Sequence, residues 1–199
     1  LLYISKENYG LLASFNSFYD LILMLIGGGS GVVIQQKFFK VNKIKFKEYF
    51  TNVYIYSFFT FILLLFLNYL LSSIVTYFFQ IDLEIAFLAI FAATLFYYSN
   101  TYYQYLQLQK LTIKYGVLII SQSILNFSFS IFFVIYGLDW IGRVYGIIFG
   151  VLIIFIITNS ILLKNGGLVE KKLINKEKIK EVSFEGFRIL PHSIVSWFN

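Results

Sequence analysis

The sequence predicts an all-α, polytopic transmembrane helical bundle. Three observations carry that prediction. Of 199 residues, 59% are hydrophobic and 13% charged, against roughly 25% charged in soluble domains. Five stretches reach the about 20 apolar residues that a helix needs to cross a bilayer. The basic residues also fall on alternate loops between those stretches. With 59% apolar residues, a soluble fold of this size has too little interior to hide them. The absence of cysteine excludes a disulfide scaffold and a thiolate metal site.

The chain opens on Leu1, and its one methionine, Met24, lies inside an apolar run. A fragment of a longer protein is therefore expected. Along it, the predicted spans are residues 11–34, 50–71, 85–106, 115–136 and 141–163, with a sixth starting near Phe187. The run 58–67 is apolar at every position but Thr60, which suits helices and not the alternating strands of a barrel. The expected organisation is a first bundle over residues 1–186, closed by a basic amphipathic linker at 164–186, and the beginning of a further helix over 187–199.

Sixteen basic residues sort by position. Lys37, Lys40, Lys43, Lys45 and Lys47 follow the first span, and Lys110 and Lys114 follow the third. Lys164, Lys171, Lys172, Lys176, Lys178, Lys180 and Arg188 follow the fifth. Only Lys6 and Arg143 fall on the other side, leaving 14 of the 16 on one. The positive-inside rule makes that side cytoplasmic. The net charge of +6 then reports attraction to anionic lipid, about 1 kcal/mol per residue, and a nucleic-acid partner is not expected. Residues 171–185 alternate Lys and Glu around Leu173, Ile174, Ile179 and Val182. They read as a helix lying on the inner membrane surface or, equally, as a solvated linker.

Polar residues inside spans need a partner or a wet cavity. Asn16 and Asp20 lie four apart, on one helical face. Ala13, Ser17, Gly27, Gly28 and Gly31 continue roughly the same stripe. Asp20 is the one carboxylate deep in a span. It reads either as cavity lining, with proton or cation coupling, or as an interhelical hydrogen bond. The third span carries Asn100, Gln104 and Gln107 on one face, and the fourth carries Gln122, Asn126 and Ser130. Such amides line a lumen or clasp neighbouring helices. Clasping is the commoner case, but three helices with one polar face each point to a shared cavity.

The fifth span opens with Gly142, Gly146 and Gly150, a small-xxx-small pattern that lets a partner helix approach, most simply within the chain. Arg143 is placed to pair with Asp139, and Trp140 to anchor at the interface. Tyr97, Tyr98, Tyr102, Tyr103 and Tyr105 read as a headgroup belt in preference to a sugar-stacking surface. The run Gly27 to Gly31 lacks the strand–turn–helix setting of a dinucleotide site and is expected to loosen or kink its helix. One histidine, His192, makes no metal cluster, and no phosphate-loop pattern occurs. Neither a metal, a cofactor nor an enzymatic activity is expected.

Two segments carry a family resemblance. Ser5-Lys6-Glu7-Asn8-Tyr9-Gly10, with Gly27 to Gly31 at the far end of the span, resembles the "S-x-E-x-Y-G" opening of the second helix of O-antigen and polysaccharide flippases. Glu185-Gly186-Phe187-Arg188-Ile189-Leu190-Pro191-His192-Ser193-Ile194-Val195-Ser196-Trp197 resembles the "F-G-x-P-x-I-P-H-x-L-S-x-W" opening of their seventh. Gln35-Gln36-Lys37-Phe38-Phe39-Lys40 fits the basic segment between. The resemblance implies the polysaccharide-transporter branch of the superfamily that also holds multidrug and toxin extruders. It implies two pseudo-symmetric bundles rocking about a central cavity. This chain would be most of the first half, helices two to six, with residues 187–199 starting the second bundle.

The implied activity is flipping of polyprenyl-pyrophosphate-linked oligosaccharide across a bacterial cytoplasmic membrane, for O-antigen or capsule-type polysaccharide. The implied partners are that lipid-linked substrate, anionic lipids and polysaccharide-assembly proteins. Candidate cavity-lining residues are Asn16, Asp20, Asn100, Gln104, Gln122, Asn126, Arg188 and His192. The complete spans depart from the family pattern in having no deep Lys or Arg to hold a pyrophosphate. A cation-coupled antiporter on the same fold, with Asp20 as coupling carboxylate, is the alternative. A membrane-embedded glycan enzyme would need longer polar loops.

Overall fold

A computed structural model describes residues 5–164 and 167–198, the side chains of 192–198 excepted. The described residues form helices with no strand. They are α1 (Lys6–Gly27), α2 (Ser30–Lys40), α3 (Lys43–Leu70), α4 (Ser72–Phe79), α5 (Leu83–Leu108), α6 (Thr112–Phe133), α7 (Asp139–Leu162) and α8 (Lys176–Phe198). Four apolar runs are long enough to cross a membrane, and the last covers 51 residues, Thr112–Leu162. That run is a helical hairpin. It breaks in a π-helical turn at Val134–Leu138, where Gly137 takes φ 88° and Asp139 φ 48°.

The hairpin closes on the three glycines of α7. A β-carbon at Gly142 would lie 2.9 Å from the Phe133 carbonyl carbon, one at Gly146 would lie 2.5 Å from Ser130 Cα, and one at Gly150 would strike Asn126. The partners recede along α6 as the glycines advance along α7. The helices are therefore antiparallel, and the small-xxx-small stripe serves contact within the chain.

The first predicted span is two helices. Gly28 (φ 48°) and Gly29 (φ 77°) are left-handed, a conformation that costs other residues roughly 1–2 kcal/mol. Tyr97 of α5 fixes the break. Its ring lies 2.9 Å from the β-carbon position of Gly27, and its hydroxyl is 2.5 Å from Ser30 Oγ. Ser30 Oγ also donates to the Gly27 carbonyl. α8 crosses the same place, where a β-carbon on Gly29 would strike the Gly186 carbonyl and one on Gly186 the Gly28 carbonyl.

α5 is the central helix, packed by α1, α2, α3, α6 and α7. Its Ala86, Ala89, Ala92 and Ala93 are fully buried, small enough to bring neighbouring backbones close. They share one core with Phe15, Phe18, Ile22 and Ile26 of α1 and with Val144 of α7. A second core gathers Ile34, Phe46, Phe50, Leu106, Leu162 and Val182.

This second core marks the lysine-rich end. The α2–α3 turn, the α5–α6 turn and the segment after α7 meet there around one recess lined by Phe38, Lys43, Tyr105, Gln109 and Leu168. Asn42 caps α3, accepting from the Lys45 amide at 2.9 Å. At the other end Asn8 Nδ2 donates to Asp139, tying the start of α1 to the hairpin turn. The alternation of basic loops is thus matched by the fold. α4, a short helix between α3 and α5, adds an element that hydropathy did not mark.

Three expectations need correction. The tyrosines of α5 are not a belt: Tyr97, Tyr98, Tyr102 and Tyr103 are all buried inside the bundle. Arg143 does not pair with Asp139. Its guanidinium donates to Ser130 Oγ at 2.8 Å across the hairpin, while Asp139 accepts from Asn8. Of the linker's apolar residues, Val182 does not face a lipid surface but is fully buried in the second core, whereas Ile174 stays exposed. Lys176–Phe198 is one helix running through residue 187 without a break.

Candidate functional site

α1 presents two faces of opposite character. Phe15, Phe18, Ile22 and Ile26 are buried. Tyr9, Ala13, Asn16, Ser17 and Asp20 are exposed, and their spacing of three to four residues places them on one stripe. The exposed faces of α3 and α6 are mostly hydrocarbon, with Phe59, Ile62 and Phe66 on α3 and Ile113, Ile120 and Phe127 on α6. A membrane-facing surface tolerates the second kind. A carboxylate and an amide one turn apart belong against water, or against protein that supplies partners. The stripe continued by Gly27 and Gly28 is split, because both glycines are buried.

The other candidate residues occupy separate places. Asn100 and Gln104 of α5 are half-buried. Gln104 packs its amide 3.0 Å from the β-carbon position of Gly31, and its Oε1 has no hydrogen-bond partner. Gln122 is buried and accepts from the Tyr103 hydroxyl at 2.8 Å, joining α6 to α5. Asn126 lies in the hairpin against Gly150, its Oδ1 unpartnered. Arg188 is exposed, with its guanidinium 4.2 Å over the Phe184 ring. The His192 side chain lies outside the described residues. Asn16 and Asp20 thus stand together, Gln122 clasps α5, Asn126 packs against Gly150 without a side-chain partner for its Oδ1, and no single cavity gathers the set among the described residues.

Buried polar groups that the sequence reading passed over do more of the joining. The Tyr54 hydroxyl donates to Asn159 Oδ1, linking α3 to α7. Asn52 donates to the Leu173 carbonyl at 3.0 Å and accepts from the Asn175 amide at 2.9 Å, fastening the linker. Asn68 is buried near the end of α3. The available signal was the polar residues of the second and fifth spans, which have no repeat spacing of their own.

At the lysine-rich end, α8 is held to α2 and α3 by charge. Glu181 accepts from Lys37 (3.0 Å), Lys178 (2.7 Å) and the Tyr49 hydroxyl (2.5 Å). Lys37 also reaches Glu185 at 2.7 Å, and both ammonium groups lie 4.6 Å over the Tyr49 ring. Burial opposes the charge on Glu181, but the hydrogen bonds from Lys178, Tyr49 and Lys37 outweigh it and hold the carboxyl down at about 2. Burial likewise opposes the charge on Lys37, and its bonds to Glu185 and Glu181 overcome this and raise it. Each charge here has partners on other helices, so the cluster acts as a clasp and leaves little to attract a ligand.

Set against protein-family models, curated proteins and solved structures, the chain finds no match in any of the three. No group of three or more metal-ligating side chains occurs among the described residues.

Proposed function

We propose that the chain is part of a transporter that moves lipid-linked oligosaccharide across the membrane by alternating access. The observation that carries this reading is the exposed polar face of α1, where the amide of Asn16 and the carboxylate of Asp20 stand one turn apart while the exposed faces of α3 and α6 are mostly hydrocarbon. A charged Asp in mid-bilayer costs about 3 kcal/mol on insertion scales, so this face borders a hydrated cleft between this bundle and a second one. Such a cleft suits a substrate with a polar head and a hydrocarbon tail. An oligosaccharide-pyrophosphate cannot cross hydrocarbon, but its sugars can exchange hydrogen bonds with Asn16 and Ser17 while the tail stays in lipid. The flippase resemblance at residues 5–10 and 185–197 names this substrate class.

The hairpin holds Lys114 at its lysine-rich start and Arg143 further along, and Arg143 is engaged by Ser130. Pyrophosphate binding therefore falls to Arg188 or to basic groups of the second bundle. The test is deletion of the gene in its host. Lipid-linked repeat units should accumulate on the inner leaflet, and their normal appearance on the outer leaflet would overturn the assignment.

The exposed Asp20 carboxylate also favours a second reading, a cation-coupled small-molecule antiporter. Under that reading Asp20→Asn abolishes pH-driven uptake while lipid-linked glycan passes normally. Full transport by Asp20→Asn at every pH removes Asp20 from coupling in either scheme.

A further inference from the structure

On a different face of α1 from Asn16 and Asp20, a crevice opens between α1, α3 and α4. It encloses about 200 Å³ and is walled by apolar side chains, among them Phe18, Ile22, Leu25, Leu64 and Phe79. Its one polar lining residue is Asn68. Asn68 is only 4% exposed, and neither its amide nitrogen nor its carbonyl oxygen has a hydrogen-bond partner. Native proteins keep few such groups, because a buried amide without a partner forfeits the hydrogen bonds it made to water. Leu67 and Leu71, also on the crevice wall, are exposed, so the crevice opens sideways onto the apolar surface.

Depth selects the ligand. α3 has 28 residues, about 42 Å at 1.5 Å per residue, close to the full thickness of a bilayer with its headgroup regions. Asn68 lies two residues before the end of α3 at Leu70. That places it where hydrocarbon gives way to the ester groups of glycerolipids. Tyr69, next to it in the chain, and Tyr77 of α4 are 65% and 78% exposed, as expected for side chains at that boundary.

We propose that the crevice binds an ester-linked diacyl glycerolipid. The upper methylenes of one acyl chain lie among Phe18, Ile22, Leu64 and Phe79, and Asn68 Nδ2 donates to the ester carbonyl. The site does not depend on what the protein transports.

The probes are dipalmitoylphosphatidylglycerol and its dialkyl ether analogue, which keeps both chains and the headgroup but lacks the carbonyl acceptors. Each is added to the delipidated full chain, and retained lipid is read by native mass spectrometry. The expected result is about 5-fold stronger retention of the ester lipid, the worth of one hydrogen bond. Asn68→Leu should remove that preference. Leu64→Phe, which fills the crevice, should weaken retention of both lipids. Equal retention of ester and ether lipid by the unsubstituted chain overturns the proposal. So does a preference that survives Asn68→Leu, or a dimer through this face that excludes lipid. If Asn68→Leu does not fold, the ester–ether comparison in the unsubstituted chain still decides.

Discussion

Replacing Gly146 by alanine probes the α6–α7 hairpin at its tightest point. The added methyl would lie 2.5 Å from both Ser130 Cα and Ser130 N. An ordinary carbon contact needs 3.4–4 Å, so the overlap is about 1 Å. The obstructing atoms are backbone, so no rotamer change relieves it and the helices must part by a similar distance. Parting loosens the neighbouring contacts at Gly142 and Gly150 and stretches the 2.8 Å bond from Arg143 to Ser130. Overpacking of this kind costs about 1–3 kcal/mol. Helix propensity returns roughly 0.5–1 kcal/mol of that, as for any interior Gly→Ala change. The net expectation is a loss of about 1–2 kcal/mol.

Gly116 on α6 is the control, because a β-carbon there meets nothing within 4 Å. Gly116→Ala should be neutral or slightly stabilising. The assay is equilibrium unfolding in mixed micelles, followed by far-UV dichroism and by tryptophan fluorescence, with Trp140 near the hairpin turn as reporter. If Gly146→Ala is as stable as Gly116→Ala, the close-packed hairpin is wrong.

Other expectations follow from the same contacts. Glu181→Gln should loosen α8 from α2 and α3 by about 1 kcal/mol, because half-exposed ion pairs are screened by solvent; hydrogen exchange over residues 171–185 reads it, and unchanged protection refutes it. The carboxyl of Glu181 is held at about 2 in the fold, below its ordinary 4.5, so its contribution is complete above about 4.5 and lost as pH falls from there toward 2. Protection of α8 should fall in that window in the unsubstituted chain and stay flat in Glu181→Gln. Gly29→Ala combines a left-handed backbone (φ 77°) with a strike on the Gly186 carbonyl. It should cost about 2 kcal/mol or more and release α8 from the α1–α2 break, which a disulfide trap between the two helices would detect. Tyr97→Phe removes one bond to Ser30 while Ser30 keeps the Gly27 carbonyl, for a loss near 0.6 kcal/mol in the same unfolding assay.

The sequence reading placed the apolar segments well and their contacts unevenly. The end of the predicted fourth span, residue 136, falls three residues past Phe133, and the fifth, from residue 141, begins two residues after Asp139. Gly142, Gly146 and Gly150 named their own role, because a repeat of four marks one face and small size admits a neighbour. Asn16 and Asp20 were legible as a pair for the same reason. The tyrosines of α5 were misread because their position near the end of a span fits a belt as well as a core. Arg143 was assigned Asp139 from sequence distance, but the reversal at Gly137 brought Ser130 within reach.

Hydropathy and charge order are properties of the chain taken one segment at a time, so length, helical character and the side on which lysines gather could be read without coordinates. The face each helix turns inward could not. A helix that is apolar all round has no polar side to mark the exterior, and lipid and protein interior are nearly the same solvent to a Phe or a Leu. Only the packed structure decided that Tyr97 locks the Gly27–Gly29 break, that Gln122 clasps Tyr103 while Asp20 stays exposed, and that Asn68 is buried beside an open crevice. Each of those outcomes depends on which helix arrives as neighbour, and that is settled by the fit of whole surfaces.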